Sequence, residues 1–326
     1  MKITKQNKTK VQLLVDEIMN HITTGVYKEG DPLPSINQIS KRQKVSRDTV
    51  FKALNILKDQ GILNSIHGKN YHIAKTHQEV LLVLEEYSPY KEIFYKSLTK
   101  YLPATFKLDV VFHLYNEELF QNIIEQSQGR YYKYIIMNYQ NLYLPKILNK
   151  LDADKLLLID FGDFEKGDLS YVCQNFDSNF YACLKASTLE IQKYKKLVMI
   201  SDERKQHPKT GEYVFKKFCE EIKIPSEVSY GFGDTDKMEI NSCYIIARLN
   251  DLVELVRQAN TKGLIVGKDY GIIAYNDIPL YDILCNGITS FSVDWKDMGE
   301  KVAQFIMQGK PIQITLPTQI FKRKSL

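Results

Sequence analysis

Residues 25–73 read GVYKEGDPLPSINQISKRQKVSRDTVFKALNILKDQGILNSIHGKNYHI, and their reading decides the N-terminal fold. Ser35 is a favourable N-cap for a short helix, SINQISKRQ, with Ile36 and Ile39 on its buried side. Val45 falls in a tight turn. Ser46 then caps a second helix, RDTVFKALNILKDQ, with Val50, Leu54 and Leu57 facing inward, and Gly61 closes it. Two short helices joined by a tight turn are the pattern of a helix-turn-helix, whose second helix enters the major groove. Upstream, residues 10–24 (KVQLLVDEIMNHITT) carry Val11, Leu14, Val15, Ile18, Met19 and Ile22 as one helical apolar stripe. Gly25 ends that helix, and Gly30, Pro32 and Pro34 mark the loop after it. Downstream, ILNSIHGKNYHIA reads as two short strands around a turn at residues 67–70, a wing with Lys69 at its tip.

Charge is distributed in keeping with this reading. Residues 1–76 hold 13 Lys+Arg against 6 Asp+Glu, a net of +7, while the other 250 residues hold 31 against 33, a net of −2. A small basic head on a nearly neutral body suggests a polyanion partner, most simply duplex DNA.

The head resembles the DNA-binding domain of the GntR family of bacterial transcription regulators. The resemblance rests on G-x-Y-x-x-G-D-x-L-P-S, V-S-R-x-T-V, A-L-x-x-L-x-x-x-G-I-L and the wing G-K, and covers about residues 9–74. The family usually has Arg where Asn37 and Phe51 stand, and commonly Gly at position 70, here Asn70; its usual operator therefore does not carry over. Roles follow from chemistry. Arg47 and Thr49 open the recognition helix, the turn that reaches base edges, and an Arg can pair in bidentate fashion with guanine. Lys52, one turn on, faces base or phosphate. Ser35, Ser46, Gly68 and Lys69 stand where phosphate contacts are common. For Phe51 two roles stay open, packing against the wing or contact with a thymine methyl.

The remaining chain alternates apolar runs with amphipathic helical patterns. EVLLVLEE, KLDVVFHLY, YKYIIMNY, KLLLIDF, KLVMIS, SEVSYGF and YGIIAYND read as strands. Between and after them SPYKEIFYKSLTKYL, NEELFQNIIEQSQ, SNFYACLKASTLEIQKY, GEYVFKKFCEEI, DLVELVRQANT and KDMGEKVAQFIM read as helices. Strands apolar throughout indicate a parallel sheet covered on both faces. About 250 residues suit two such α/β units with a cleft between them. The expected class is α/β, with a winged helix-turn-helix at residues 1–74, a linker at 75–79 and a two-lobed parallel-sheet domain at 80–326.

The stretch GKDYGIIAYNDIPLYDILCNGITSFSVDWKDMGEKVAQFIMQGKP and the ending LPTQIFKRKSL resemble the periplasmic-binding-protein-like effector domain of LacI-type regulators. A GntR head on such a body is similar to sugar-responsive regulators of carbohydrate operons, of the arabinose or fucose type. The resemblance implies a repressor that binds a palindromic operator as a homodimer, with Ile93, Phe94 and Leu98 as the pairing face. It also implies a small-molecule effector, a monosaccharide or derivative, bound between the lobes.

Ligands of α/β units lie beyond the carboxyl ends of the strands. Those ends nominate Tyr87, Tyr90, Asp160, Phe161, Asn175, Asp177, Arg248, Asp251, Asn276 and Asp277. Asp, Asn and Arg offer paired hydrogen bonds to neighbouring hydroxyls, while Tyr, Phe and Trp295 offer a flat face. A small-molecule enzyme, or an architectural DNA-binding protein without a ligand switch, is the alternative. The residues speak against an enzyme: no GxSxG or GxxxxGK[ST] occurs, and no lysine has a Schiff-base context. With six His and no clustered spacing, no metal or cofactor is expected. Five scattered cysteines, no apolar signal segment and no long apolar run point to a reducing cytoplasm without membrane contact.

As a phosphate contact at the wing tip, Lys69 carries no sequence information. Lys69→Ala is expected to weaken binding to all DNA sequences alike and to lower the slope of log affinity against log salt by about one unit. A salt titration with an unchanged slope contradicts the contact.

Overall fold

The computed structural model describes residues 9–59, 62–66, 70–74, 78–140, 143–160, 162, 164–175, 177–201 and 209–326. Gly61, Gly68, Lys69, Phe161 and linker residues 75–77 lie outside them. The chain divides into two compact units, Met1–Gln78 and Glu79–Leu326.

In the first unit, α1 (Lys10–Thr23), α2 (Ile36–Gln43) and α3 (Arg47–Asp59) precede an antiparallel hairpin of β1 (Leu63–Ile66) and β2 (Asn70–Ile73). Leu14, Val15 and Ile18 of α1 meet Ile39 of α2, Val50, Leu54 and Leu57 of α3, and Tyr71 and Ile73 of β2 in one core. Each such side chain removed from water contributes about 1.5–3 kcal/mol. Lys44, between α2 and α3, adopts a left-handed conformation with φ 50° and makes the turn tight.

The second unit holds two six-stranded sheets. The elements of the first lobe are β3 (Gln78–Leu84), α4 (Pro89–Tyr101), β4 (Phe106–Phe112), α5 (Glu117–Ser127), β5 (Lys133–Ile136), β6 (Leu156–Ile159) and β7 (Ser170–Gln174). The chain then enters the second lobe with α6 (Ser178–Ala186), α7 (Thr188–Ile191), β8 (Lys196–Ser201), α8 (Lys209–Ile222), β9 (Ser226–Tyr230), β10 (Ser242–Ile246), α9 (Leu249–Thr261), β11 (Gly271–Tyr275) and β12 (Thr289–Ser292). It returns to the first lobe as α10 (Trp295–Gln308) and β13 (Gln313–Leu316), and ends in the second as β14 (Gln319–Phe321). The sheet orders are β13-β7-β6-β5-β3-β4 and β14-β12-β11-β10-β8-β9. Neighbours β3, β5, β6, β7 and β13 pair in parallel, as do β9, β8, β10, β11 and β12, while β14 runs antiparallel to β12.

Both sheets are covered on both faces, which explains their unbroken apolar runs. In β3, Val80, Leu82 and Leu84 enter one core while Leu81 and Val83 enter the opposite one. In β10, Cys243 and Ile245 face one side and Tyr244 and Ile246 the other. The second strand in chain order sits outside the first in each lobe, so a crevice opens beside β3 and beside β8 at their carboxyl ends.

Five strands of the body, β7, β10, β12, β13 and β14, are not among those read from the sequence. β7 (SYVCQ) passes for a crossover, and β13 (QITL) and β14 (QIF) are short and partly polar. Both short strands lie at sheet edges, where one side needs no apolar partner. The expected helix over residues 178–194 is broken at Ser187 into α6 and α7.

The pairing face expected on α4 is corrected. Phe94 and Leu98 have no exposed surface, and with half-buried Ile93 they belong to the core shared with α10. The helices approach so closely that a Cβ on Gly299 of α10 would stand 2.7 Å from the Phe94 carbonyl oxygen and 2.9 Å from the Leu98 nitrogen. Backbone on the far side cannot yield as a side chain can, so Gly299→Ala is expected to destabilise the body by about 1–3 kcal/mol. Denaturant melting that shows no loss of stability contradicts the close approach.

Candidate functional site: a nucleic-acid interface and an interlobe cleft

The head presents one polar helical face. Ser35 caps α2 in a reciprocal box, its hydroxyl accepting from the Gln38 amide (3.3 Å) while the Gln38 side chain accepts from the Ser35 amide (2.8 Å). Ser46 caps α3, accepting from the Thr49 amide at 3.1 Å and sharing a hydrogen bond with the Thr49 hydroxyl at 2.8 Å. Inward-facing Val50, Ala53, Leu54 and Leu57 leave Arg47, Asp48, Phe51 and Lys52 on the exposed side. Lys52 is paired with Asp48 at 2.8 Å, both largely in water. Such a surface pair is weak, about 0.3–0.5 kcal/mol, so a phosphate can take Lys52 from it at little cost. Of the residues nominated for DNA contact, Ser35 and Ser46 cap α2 and α3 and Arg47, Thr49 and Lys52 lie in α3; Gly68 and Lys69 are outside the described residues.

In the body, a cleft of about 360 Å³ lies between the lobes. The carboxyl end of β3 supplies Tyr87 and Tyr90, that of β10 supplies Arg248, and that of β11 supplies Asn276. Tyr90 lies against Trp295, the first residue of α10, with ring centres 4.8 Å apart. Trp295 Nε1 donates to Asn276 Oδ1 at 3.2 Å. Arg248 is fixed by a bidentate pair with Asp251, Nε–Oδ2 2.9 Å and Nη2–Oδ1 2.8 Å. Asp251 is buried and also accepts from the Phe232 amide at 3.2 Å. The cleft therefore offers aromatic rings and pre-aimed donors, the equipment for a small polar ligand.

The family model for "Bacterial regulatory proteins, gntR family" matches residues 10–73. Residues 10–73 are a GntR-family helix-turn-helix domain. The GntR-family head is 38% identical over 66 residues to the uncharacterized HTH-type transcriptional regulator YcxD of Bacillus subtilis (strain 168), a match covering 20% of this chain and 15% of that relative. The chain thus spans well under two thirds of the length of that relative. The body has the fold of LacI-type regulators. It superposes on the trehalose repressor from Escherichia coli with a TM-score of 0.63 at 10% identity, over 75% of this chain and 99% of that one. A LacI family regulator from Lactobacillus casei, solved with bound glucose, gives 0.63 at 10% identity over 76% and 99%.

Around this GntR-headed body the remaining nominated residues occupy other places. Asp251 stands behind Arg248 rather than on the cleft wall. Asp277 holds the C-terminal segment: Arg323 reaches its two oxygens at 2.7 and 3.1 Å, and the Ser290 hydroxyl donates to it. Asn175 lies where the chain crosses between lobes and accepts from the amides of Asp177 (3.0 Å) and Ser178 (2.8 Å), serving the start of α6. Asp160, at the end of β6 with φ 52°, accepts from Gln174 Nε2 at 2.7 Å, and Gln174 Oε1 accepts from the Tyr275 hydroxyl at 3.2 Å. That chain of bonds runs from the first lobe to the second.

Sequence reasoning missed Gln174, Tyr275 and the buried charges behind the cleft. Lys91 is 2% exposed and pairs with Glu85 at 2.8 Å. Its signal was a lysine on the apolar stripe of an amphipathic helix. Buried His113 accepts from the Tyr115 amide through Nδ1 at 3.2 Å. Among the described residues no three His, Cys, Asp or Glu side chains gather as a metal site, and no described helix is long and apolar enough to cross a membrane. Cys173, Cys183, Cys219 and Cys243 are buried free thiols and Cys285 is half-buried.

Burial pushes the Asp160 carboxyl up to about 7, with the Glu85 charge adding to the rise. In the unfolded chain it ionises near 3.8, so between those values the folded state holds the extra proton and stability falls as pH rises. His113 runs the other way. Burial, helped by Lys91, holds it down to about 4 from the usual 6.5, so stability falls as pH drops between 6.5 and 4. The slopes oppose each other over that range. Asp160→Asn removes the carboxyl slope alone while keeping an acceptor for Gln174. Its stability relative to the wild type is expected to rise with pH and to level off above about pH 7, in urea melts from about pH 5 to 8. A difference independent of pH contradicts the raised carboxyl.

Proposed function

We propose that this chain is a cytoplasmic transcription regulator, a repressor of carbohydrate-utilisation genes relieved by a monosaccharide or a derivative bound in the interlobe cleft. One observation carries the reading: a GntR-family helix-turn-helix and a LacI-type two-lobed body share one chain, and the body's cleft is walled by Tyr87, Tyr90, Arg248 and Asn276. The sugar-related names of two structural relatives support the ligand class. In this reading residues 1–74 bind DNA, 75–79 link, and 80–326 bind the effector and pair two copies. A single recognition helix reads a half-site, so a homodimer on a palindrome follows. Arg47 pairs with a guanine and Thr49 and Lys52 support it; Ser35, Ser46, Gly68 and Lys69 hold phosphates.

Closing the lobes on a ligand is the motion a two-lobed body offers most cheaply. The ligand acts only through differential affinity for the two states. A panel of monosaccharides and their phosphates is expected to contain one that raises thermal stability, by about 2.7 kcal/mol at 100 times its Kd. The same compound is expected to weaken binding to DNA from upstream of the chain's own gene about tenfold or more, a coupling of at least ~1.4 kcal/mol. Tyr87→Ala keeps DNA binding and loses the response, because Tyr87 is exposed on the cleft wall and bonds only Glu92 (2.6 Å) among the described residues. Arg47→Ala keeps the response to ligand in thermal melts and loses operator binding. A panel in which nothing shifts stability or DNA affinity refutes the sensor.

A further inference from the structure

α3 carries a large apolar side chain where its other exposed neighbours are charged. Phe51 is 45% exposed and stands apart from the head's core cluster. It follows Arg47 by one helical turn, and Asp48 and Lys52 flank it on the same face. The neighbouring position toward the hairpin is taken: Asn55 accepts from the Tyr71 hydroxyl of β2 at 3.3 Å. Among the described residues Phe51 has no such tie. Exposing a phenylalanine in water gains nothing for folding, since burial of such a side chain is what contributes about 1.5–3 kcal/mol. Its place on the exposed face of α3, one turn from Arg47, leaves it open to a different burial.

We propose that Phe51 is a specificity-determining residue that reads the 5-methyl group of a thymine in the major groove. The inference rests on the DNA-reading role of α3 given above. A phenyl ring has no donor or acceptor and cannot read a base edge by hydrogen bonds. The apolar landmark on the major-groove edge of a base pair is the thymine methyl. Residues four apart on a helix have Cβ atoms about 5–6 Å apart, and successive base pairs rise about 3.4 Å. The thymine therefore lies one or two steps from the base Arg47 reaches. An operator half-site then pairs a guanine with a nearby thymine.

The test uses the full chain and a duplex that it enriches from a random-sequence pool. Each thymine of that duplex is replaced in turn by deoxyuridine, which keeps the base pair and removes only the methyl. One thymine per half-site is expected to cost the wild type about fourfold in affinity, the worth of one buried carbon group. For Phe51→Ala the same replacement costs nothing, and Phe51→Leu keeps part of the sensitivity. Melting curves check that both variants fold, as an exposed position should allow. If no replacement weakens the wild type, or if Phe51→Ala shows the same loss, Phe51 does not read a methyl. If no sequence is enriched at all, the DNA-reading role of the head fails, and this inference with it.

Discussion

Trp295 stands where both lobes and the cleft meet. It opens α10, whose inner face packs against α4 of the first lobe, and its ring lies on Tyr90. Its indole N–H is spent on Asn276 at the end of β11 in the second lobe. An indole donates one bond and accepts none. Its single polar commitment therefore crosses between lobes, while its apolar surface belongs to the first. A change in the relative position of the lobes has to act on that bond. Tyr90, which packs against the cores of both lobes, feels the same change. The cleft wall and the interlobe contact are thus built from the same side chains, which is the condition for a ligand to influence lobe geometry.

The charged groups near the cleft follow a common rule: each buried charge has a partner that aims it. Asp251 is buried so that Arg248, 35% exposed, can be held in one orientation with part of its guanidinium at the cleft. Removing the arginine would leave a buried carboxylate uncompensated, a costlier state than the intact pair. Lys91 and Glu85 form the corresponding pair behind the β3 end. Asp160 takes the other solution, keeping its proton up to about pH 7 and bonding Gln174. The tail is secured in the same manner. Arg323 bridges Asp277 and Asp282, and the buried Ser325 hydroxyl donates to the Ile272 carbonyl at 2.6 Å while accepting from the Thr289 amide at 2.7 Å.

Much of this was legible in the chain. The caps at Ser35 and Ser46 and the inward stripe of α3 are local signals, set within a few residues by hydrogen bonding and helical periodicity. The α/β alternation was equally plain, because strands buried on both faces have no polar alternation to obscure them. Tyr87, Tyr90, Arg248 and Asn276 were nominated by their place after strands, and the structure brings these four to one cleft. Asp251, Asp277 and Asn175 satisfied the same rule and went elsewhere. A carboxylate after a strand can cap a helix, clamp an arginine or face a ligand, and only its neighbours in space separate these outcomes.

The sequence by itself determined the helices of the head, most helices and central strands of the body, and that two parallel sheets follow the basic head. These depend on contacts between residues close along the chain and on the period of apolar positions. Tertiary structure alone decided that Phe94 and Leu98 face α10 instead of a partner, that α10 returns to the first lobe, and that QITL and QIF complete two different sheets. It also decided that Asp160 reaches Tyr275 through Gln174. Each of these joins residues far apart in the chain. Their amino-acid types are compatible with several partners, and packing at short range selects one.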